Sequence, residues 1–391
     1  MTNRERVLKA LRREPVDYIP FVGRFNPLTP VQRNGVWNFP WPQDDTDAML
    51  TYVTEKLGIT HYANFGIGCM SGYSNCEVKL TEEGSLLRKE VITPAGSLTA
   101  VIENNELWPH GNDIPFSTDF TVHFRKAWIT CAEDIEKLKY VFGSTTIEDI
   151  KPYYDYVKTQ SEKYDLPIAS HIGQGLTMAL QMFLPEPLMV AIVDEPELVE
   201  AFLKLEHDVN MANIKLSCEL GCDVICRNGF YETCDFYSPD QLRHFVGDYL
   251  REECELAHSY GKLVVYTLHT GIMPMLDYLK EIPFDAIFGT DPNFPGVDIR
   301  KIKAELGDSM AFEMGPCSIR EFSSRNTNDV RVAIRNLIDV FGKTGFVLTP
   351  SVSMHSIMPW ENFEAAVDEW KKVRNPPPAM PVSPFSKGDE I

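Results

Sequence analysis

The sequence predicts an α/β fold, a (β/α)₈ barrel, and three observations carry that expectation. Eight apolar segments of strand length recur along the chain, each followed by a loop and then by a longer stretch with helical spacing. None is followed by a G-x-G-x-x-G turn, which argues against an open doubly wound sheet and against a nicotinamide cofactor. The 391 residues, 44% hydrophobic and 24% charged, are enough for one large α/β unit of this kind.

In chain order the predicted strands are Tyr18–Gly23, Ile59–Phe65, Ile168–Ile172, Asp223–Cys226, Leu263–Leu268, Asp285–Phe288, Met310–Met314 and Phe346–Leu348. Helices are clearest at Thr2–Arg13, Pro196–Leu220, Pro239–Tyr260 and Trp360–Arg374, where apolar residues recur three or four apart. Ser238-Pro239 has the form of an N-cap followed by Pro in the first turn. Between the second and third strands, VKLTEEGSLLRKEVITPAGSLTAVI alternates around Glu83-Gly84 and Pro94-Ala95-Gly96, which predicts an inserted β-hairpin or meander. Residues 1–374 are read as one barrel domain and 375–391, rich in Pro and polar residues, as an extended tail.

The formal net charge of −19 disfavours nucleic acid and anionic lipid, since an acidic field repels polyanions. The nine cysteines are scattered without a C-x-x-C pair, and MTNRERVLKALRREP lacks the apolar core of a signal peptide. Both point to a reduced, cytoplasmic setting. No run approaches 18 uninterrupted apolar residues, so no membrane span is expected.

In a barrel of this kind, functional groups sit where the strands end. Those positions hold Arg24, Asn26, Asn64, His171, Gln174, Asn228, Glu232, Cys234, His269, Asp291, Asn293, Cys317, Ser351, Ser353 and His355. His269 and Cys317 end neighbouring strands and are donor types that zinc accepts. They could equally be a hydrogen-bonded mouth histidine and a small buried filler. Glu232 or Cys234 could add a third ligand or be a loop carboxylate and a packed thiol. Asp291 competes for that place, or caps the turn after its strand. His355 with Ser351 and Ser353 suits a proton relay. Arg24, Asn26, His171, Asn228 and Ser353 are the expected substrate-binding groups, and His355 and Glu232 the expected catalytic ones. A Ser/His/Asp hydrolase fits poorly, because no G-x-S-x-G elbow occurs.

Several segments resemble the uroporphyrinogen decarboxylase-like superfamily. RERVLKALRREPVDYIPF, with its turn Pro15-Val16-Asp17-Tyr18-Ile19-Pro20, is similar to the superfamily's opening helix and first strand. TPAGSLTAV, CDFYSPDQLRHFVGDYLREECELAHSYGKLVVYTLHTGIMPML and FVLTPSVSMHSIMPWENFEAAVDEW look like its methyltransferase branch, over nearly all of the chain to Arg374.

Decarboxylases of the superfamily hold a poly-carboxylate tetrapyrrole with an Arg-containing stretch and a nearby Asp. Here Phe21-Val22-Gly23-Arg24-Phe25-Asn26 keeps one Arg, which argues against that substrate. The methyltransferase branch places zinc on a His-x-Cys pair and a later Cys. Here the pair reads Thr267-Leu268-His269, with His269 at the Cys position, and Cys317 matches the later Cys.

The resemblance therefore implies Zn²⁺ on His269, Cys317 and a third group, Glu232 first and Asp291 in reserve. Fewer thiolates make a harder Lewis acid, which favours an oxygen donor over a thiol acceptor. The implied activity is transfer of a methyl group from an O-methyl donor, a methoxylated aromatic, to the corrinoid (cobalamin) of a partner corrinoid protein. The alternatives are methyl transfer to a thiol such as coenzyme M, porphyrinogen decarboxylation, and a non-catalytic barrel that binds the corrinoid protein. Oligomeric state is left open, a homodimer being one option.

Overall fold

The parallel strands are runs of Val, Ile, Leu and Ala buried on both faces, as a sheet walled by helices requires. LVVYTL at 263–268 is buried at every position. A computed structural model describes residues 1–26, 37–68, 76–106, 108–118, 123–143 and 145–376. Nearly all of the expected tail, 377–391, lies outside the described residues.

The strands are β1 (Phe25–Asn26), β2 (Ala63–Gly66), β3 (Glu77–Glu83), β4 (Leu86–Thr93), β5 (Gly96–Glu103), β6 (His123–Lys126), β7 (Ile168–Ile172), β8 (Val224–Phe230), β9 (Leu263–Leu268), β10 (Ala286–Phe288), β11 (Ala311–Met314), β12 (Phe346–Leu348) and β13 (Met354–His355). Seven of them, β2 and β7 to β12, make one curled parallel sheet in sequence order. The remaining stave is short. Phe21 bridges Leu348 and Val22 bridges Thr60, both parallel, so residues around Pro20–Gly23 join the two sheet edges. The Val22 N–H donates to Leu348 O and the Gly23 N–H to Thr60 O, each at 2.8 Å. The predicted first strand, Tyr18–Gly23, is reduced to these bridges partly because Pro20 has no N–H to give to a ladder. Beyond it, β1 pairs in parallel with β13, Asn26 opposite His355.

Alternation sets the inward face. Val22, Tyr62, Ala169, Val224, Cys226, Leu263, Val265, Ala286, Phe288, Ala311 and Val347 form one interior cluster with Val7, Ala10 and Leu11 of the helix Asn3–Leu11. That helix, capped where the Thr2 hydroxyl accepts the Glu5 N–H at 3.2 Å, closes the end of the barrel where the strands begin. Burial of Val7 and Leu11 contributes about 1.5–3 kcal/mol each toward holding it there.

The helix Pro196–Leu220 begins with Pro and ends at Gly221 in the left-handed region (φ 107°), where only glycine is unstrained. The predicted helix at 239–260 is a capping box at Ser238 and Gln241, a π-turn at Arg243–Gly247, and a helix over Asp248–Ser259. The final helix, Trp360–Val373, is pinned to the first stave by the Trp370 indole N–H on Ile19 O at 2.8 Å.

The insertion is a four-stranded antiparallel sheet in the order β3-β4-β5-β6, a meander with one strand more than the alternation predicted. Gly84 (φ 63°) and Gly96 (φ 116°) occupy its two predicted turns. Leu87, Val91, Leu98, Ala100 and Ile102 are buried, whereas β3 is exposed throughout. Among the described residues, no single helix is long and apolar enough to cross a membrane.

Candidate functional site

The strand ends that surround the barrel mouth carry the polar residues. Its floor is ionic: the Arg24 guanidinium donates to Glu313 Oε2 at 2.6 Å, and the Tyr62 hydroxyl donates to Glu313 Oε1. Glu313 is fully buried, and Arg24 stacks over the Phe288 ring at 3.6 Å from its centre. Burial disfavours the Arg24 charge, but Glu313 outweighs it and holds the guanidinium protonated. Arg24, expected to bind substrate, is thus held largely by an internal carboxylate. Arg24 Nε is buried without a hydrogen-bond partner. Glu313 shares the inward parity of Ala311 in β11, and that parity was the signal for it in the sequence.

Around the wall, His171 places Nε2 at 3.1 Å from Asn64 Oδ1 and Nδ1 at 3.4 Å from Asn228 Oδ1. Burial, helped by the Arg24 charge, pushes the His171 pKa down to about 4, so the imidazole is neutral near pH 7. Asn26, Ser353 and His355 come together where β1 meets β13. The Asn26 amide donates to Ser353 Oγ at 2.9 Å, and Ser353 Oγ lies 3.3 Å from His355 Nε2. Burial also lowers the His355 pKa. Neighbouring Val352 is left-handed (φ 69°), a conformation that strains a β-branched residue by about 1–3 kcal/mol. The Ser318 hydroxyl lies between the carbonyls of Ser351 and Ser353 and braces the loop on either side of it.

Beside this loop lies the donor cluster, joined to it where Cys317 bridges Ser351 and the Ser351 hydroxyl donates to Thr290 O at 3.1 Å. The Cys317 thiol is 3.1 Å from Asp291 Oδ2, and the Asp291 N–H donates to His269 O at 3.2 Å. The His269 ring packs beside Phe230, with Nδ1 at 3.4 Å from Gly289 O. Burial and the adjacent Asp291 carboxylate push the Cys317 thiol up to about 11. Its proton sits between two groups that would otherwise both be anionic. Asn293 and Glu321 complete the cluster, the Asn293 amide donating to Glu321 Oε1 at 2.7 Å and the Cys317 N–H to Glu321 Oε2 at 2.7 Å. Imidazole, thiol and carboxylate are the donor types that zinc takes. Among the described residues, no three such side chains are gathered closely enough to hold a metal ion.

Glu232 is the correction. Expected as ligand and catalytic group at the mouth, its fully buried carboxylate accepts the Leu176 N–H at 2.8 Å and the Tyr266 hydroxyl at 2.6 Å, with Arg227 at 3.5 Å. Tyr266 and Arg227 occupy the outward parity of β9 and β8, so Glu232 belongs to the layer between strands and helices. There Arg227 also donates to Glu253 Oε2 at 2.8 Å, and Glu206 accepts the Gln174 and Gly175 N–H groups at 2.7 and 2.9 Å. Burial raises the Glu232 pKa to about 7 against the pull of Arg227. Its oxygens are committed on the far side of the strands from the mouth.

A family model described as uroporphyrinogen decarboxylase (URO-D) matches residues 106–373. The chain belongs to the uroporphyrinogen decarboxylase family. The matched span contains His171, Asn228, His269, Asp291, Cys317, Ser353 and His355, whereas Arg24 and Asn26 precede it. No curated protein matches the chain in sequence. Among solved structures, a methyltransferase from Methanosarcina mazei is similar over 95% of this chain and 99% of its own, with a TM-score of 0.59 at 16% identity. A B12-independent methionine synthase from Shewanella sp. W3-18-1 is similar over 91% of this chain and 98% of its own, with a TM-score of 0.44 at 11% identity. The first of these likenesses shows the same fold over nearly the whole chain.

Proposed function

We propose that this member of the uroporphyrinogen decarboxylase family is a methyltransferase, taking a methyl group from an O-methyl donor, a methoxylated aromatic, and passing it to the corrinoid of a partner protein. The observation that carries the reading is the placing, side by side at the strand ends, of the His269–Asp291–Cys317 donors and the Asn26–Ser353–His355 relay, joined where Cys317 bridges Ser351. Zinc would be held by His269, Asp291 and Cys317, with Asp291 in the place first given to Glu232, and binding would draw these three side chains together. When bound, it supplies a Lewis acid that polarises the donor's ether oxygen.

The chain's own residues do the rest. Cys317 must give up its thiol proton to serve as a ligand, His269 would offer the lone pair of a neutral ring nitrogen, and the Asp291 carboxylate is the oxygen donor beside them. Neutral His355, oriented through Ser353 by Asn26, holds or relays the proton that the departing phenolate oxygen takes up. His171, neutral and clasped through both ring nitrogens by Asn64 and Asn228, adds an uncharged ring to the wall, which suits an uncharged aromatic donor. The methyl carbon would exchange its bond to the donor oxygen, which keeps that electron pair, for a bond made with a pair supplied by the reduced corrinoid of the carrier docked over the mouth.

The pairing of Arg24 with Glu313 argues against a porphyrinogen substrate, whose several carboxylates would need cations not already neutralised. Transfer to a thiol such as coenzyme M is the second reading, supported by the same donor cluster. Elemental analysis of the reduced protein beside His269→Ala, Asp291→Ala, Cys317→Ala and Glu232→Gln tests the site. The expected result is about one zinc per chain, retained only in wild type and Glu232→Gln. Metal-loaded protein that demethylates no methyl ether with a cob(I)alamin carrier, but methylates thiols, would transfer the conclusion to the second reading.

A further inference from the structure

Beside the mouth, a cavity of about 260 Å³ is walled by aromatic rings and rimmed by carboxylates. We infer that it is a binding site for a small organic cation of the quaternary-ammonium class. The walls are Phe25, Trp37, Phe39 and Trp41, and the rim carries Asp44 and Asp45. Phe39 and Trp41 stack at 4.8 Å. Phe25 stands nearly perpendicular to both, at 5.7 and 5.1 Å, and Trp37 is nearly perpendicular to Phe39 at 5.3 Å. The rings pack edge to face or stacked on one another, and the cavity is lined by the aromatic surface they leave uncovered, which attracts a cation through the electron-rich ring faces.

One polar edge of this cage is already satisfied. The Trp37 indole N–H donates to Trp41 O at 2.7 Å, so what that ring presents to a ligand is its face. Phe25 is seated by Gly23, where a β-carbon would come within 2.5 Å of the Phe25 ring. His61, also lining the cavity, packs against Phe25 at 5.9 Å and is kept neutral by burial, with its pKa near 4. The described lining therefore contains two carboxylates and no Lys or Arg. Asp45 Oδ1 caps the helix Thr46–Thr51 at Ala48, and Asp44 lies at φ 63° on the exposed rim.

Size and charge select the class of ligand. The volume compares with about 30 Å³ for one water, so a trimethylammonium head fits with room for a short substituent. A primary ammonium would lose hydrogen bonds to water that aromatic faces cannot replace, whereas a methylated cation has none to lose. Anions are repelled by the rim and by the overall charge of −19.

This inference stands apart from the chemistry at the mouth, because binding is measured without turnover. Tryptophan fluorescence and calorimetry on the full-length chain would compare choline with its uncharged carbon isostere, 3,3-dimethylbutan-1-ol. Choline is expected to bind saturably and about tenfold more tightly than the isostere. Trp37→Leu should weaken choline about tenfold. The double variant Asp44→Asn, Asp45→Asn keeps the left-handed turn and the cap, since Asn suits both. It should weaken choline about fivefold and remove the salt dependence of its binding. Equal affinity for choline and the isostere, no saturable binding of choline, or choline binding untouched by Trp37→Leu in a chain with wild-type circular dichroism would overturn the assignment.

Discussion

Two sets of buried titratable side chains flank the same strands and are built differently. Outside the strands, Arg227 lies among Glu206, Glu232 and Glu253, with Tyr266, His207 and backbone N–H groups answering the remaining oxygens. Inside, around the mouth, a thiol shares a proton with a carboxylate, and two histidines are lowered toward neutrality. Both sets have shifted pKa values, so the shift alone does not mark the working site. Saturation does. The outer set has spent its hydrogen bonds on itself and acts as a rivet between strands and helices. The inner set is knitted at the strand ends by single contacts between unlike groups, thiol to carboxylate and hydroxyl to imidazole.

The sharpest test of this contrast removes the outer cation. Arg227→Met leaves three buried carboxylates without their counter-charge and should cost about 3–5 kcal/mol in urea unfolding, with zinc stoichiometry unchanged in the fraction that folds. If stability barely moves, the rivet is misidentified. Next in size, Cys317→Ala should lower the demethylation rate by about a hundredfold or more, through loss of the metal. Its effect on unfolding should be within about 1 kcal/mol.

A third test uses acidity. The folded Glu232 pKa is raised to about 7 from 4.5, so the folded state holds a proton that the unfolded chain releases earlier. Stability from this group is full below about pH 4.5 and is lost as the pH climbs through about 7. Glu232→Gln should flatten that decline, on the order of 2 kcal/mol, when unfolding is followed from pH 5 to 8. An unchanged slope would assign the proton to Glu206, whose pKa burial also raises. Smallest of all, Ser353→Ala should slow turnover about tenfold by freeing His355 from Asn26, with no change in metal content.

The barrel was legible because its strands repeat a physical pattern: apolar runs, a loop, then helical spacing. Its least regular stave was not, since Pro20 and the β1–β13 pairing replace a ladder with isolated bridges. At the mouth, His171, Asn228, His269 and Cys317 could be placed from strand ends alone. Glu232 misled for a specific reason. The predicted strand stopped at Cys226, whereas β8 runs to Phe230 with an irregularity after Asn228, and the turn that follows carries Glu232 outward. Two signals would have corrected it. Arg227 at an outward position needs an acid, and buried Tyr266 needs an acceptor for its hydroxyl. Arg24 reads as a substrate-binding group because Glu313 lies 289 residues away in the chain, and nothing local announces such a partner.

The helix Asn3–Leu11 has a kinetic consequence. By stoppering one end of the barrel, it leaves, among the described residues, the end where the strands finish as the way to the interior. A carrier protein seated over that end would trap whatever is already within. On the proposed function, traffic would then be ordered: the small molecule first, the carrier second, and the spent small molecule out only after the carrier has gone.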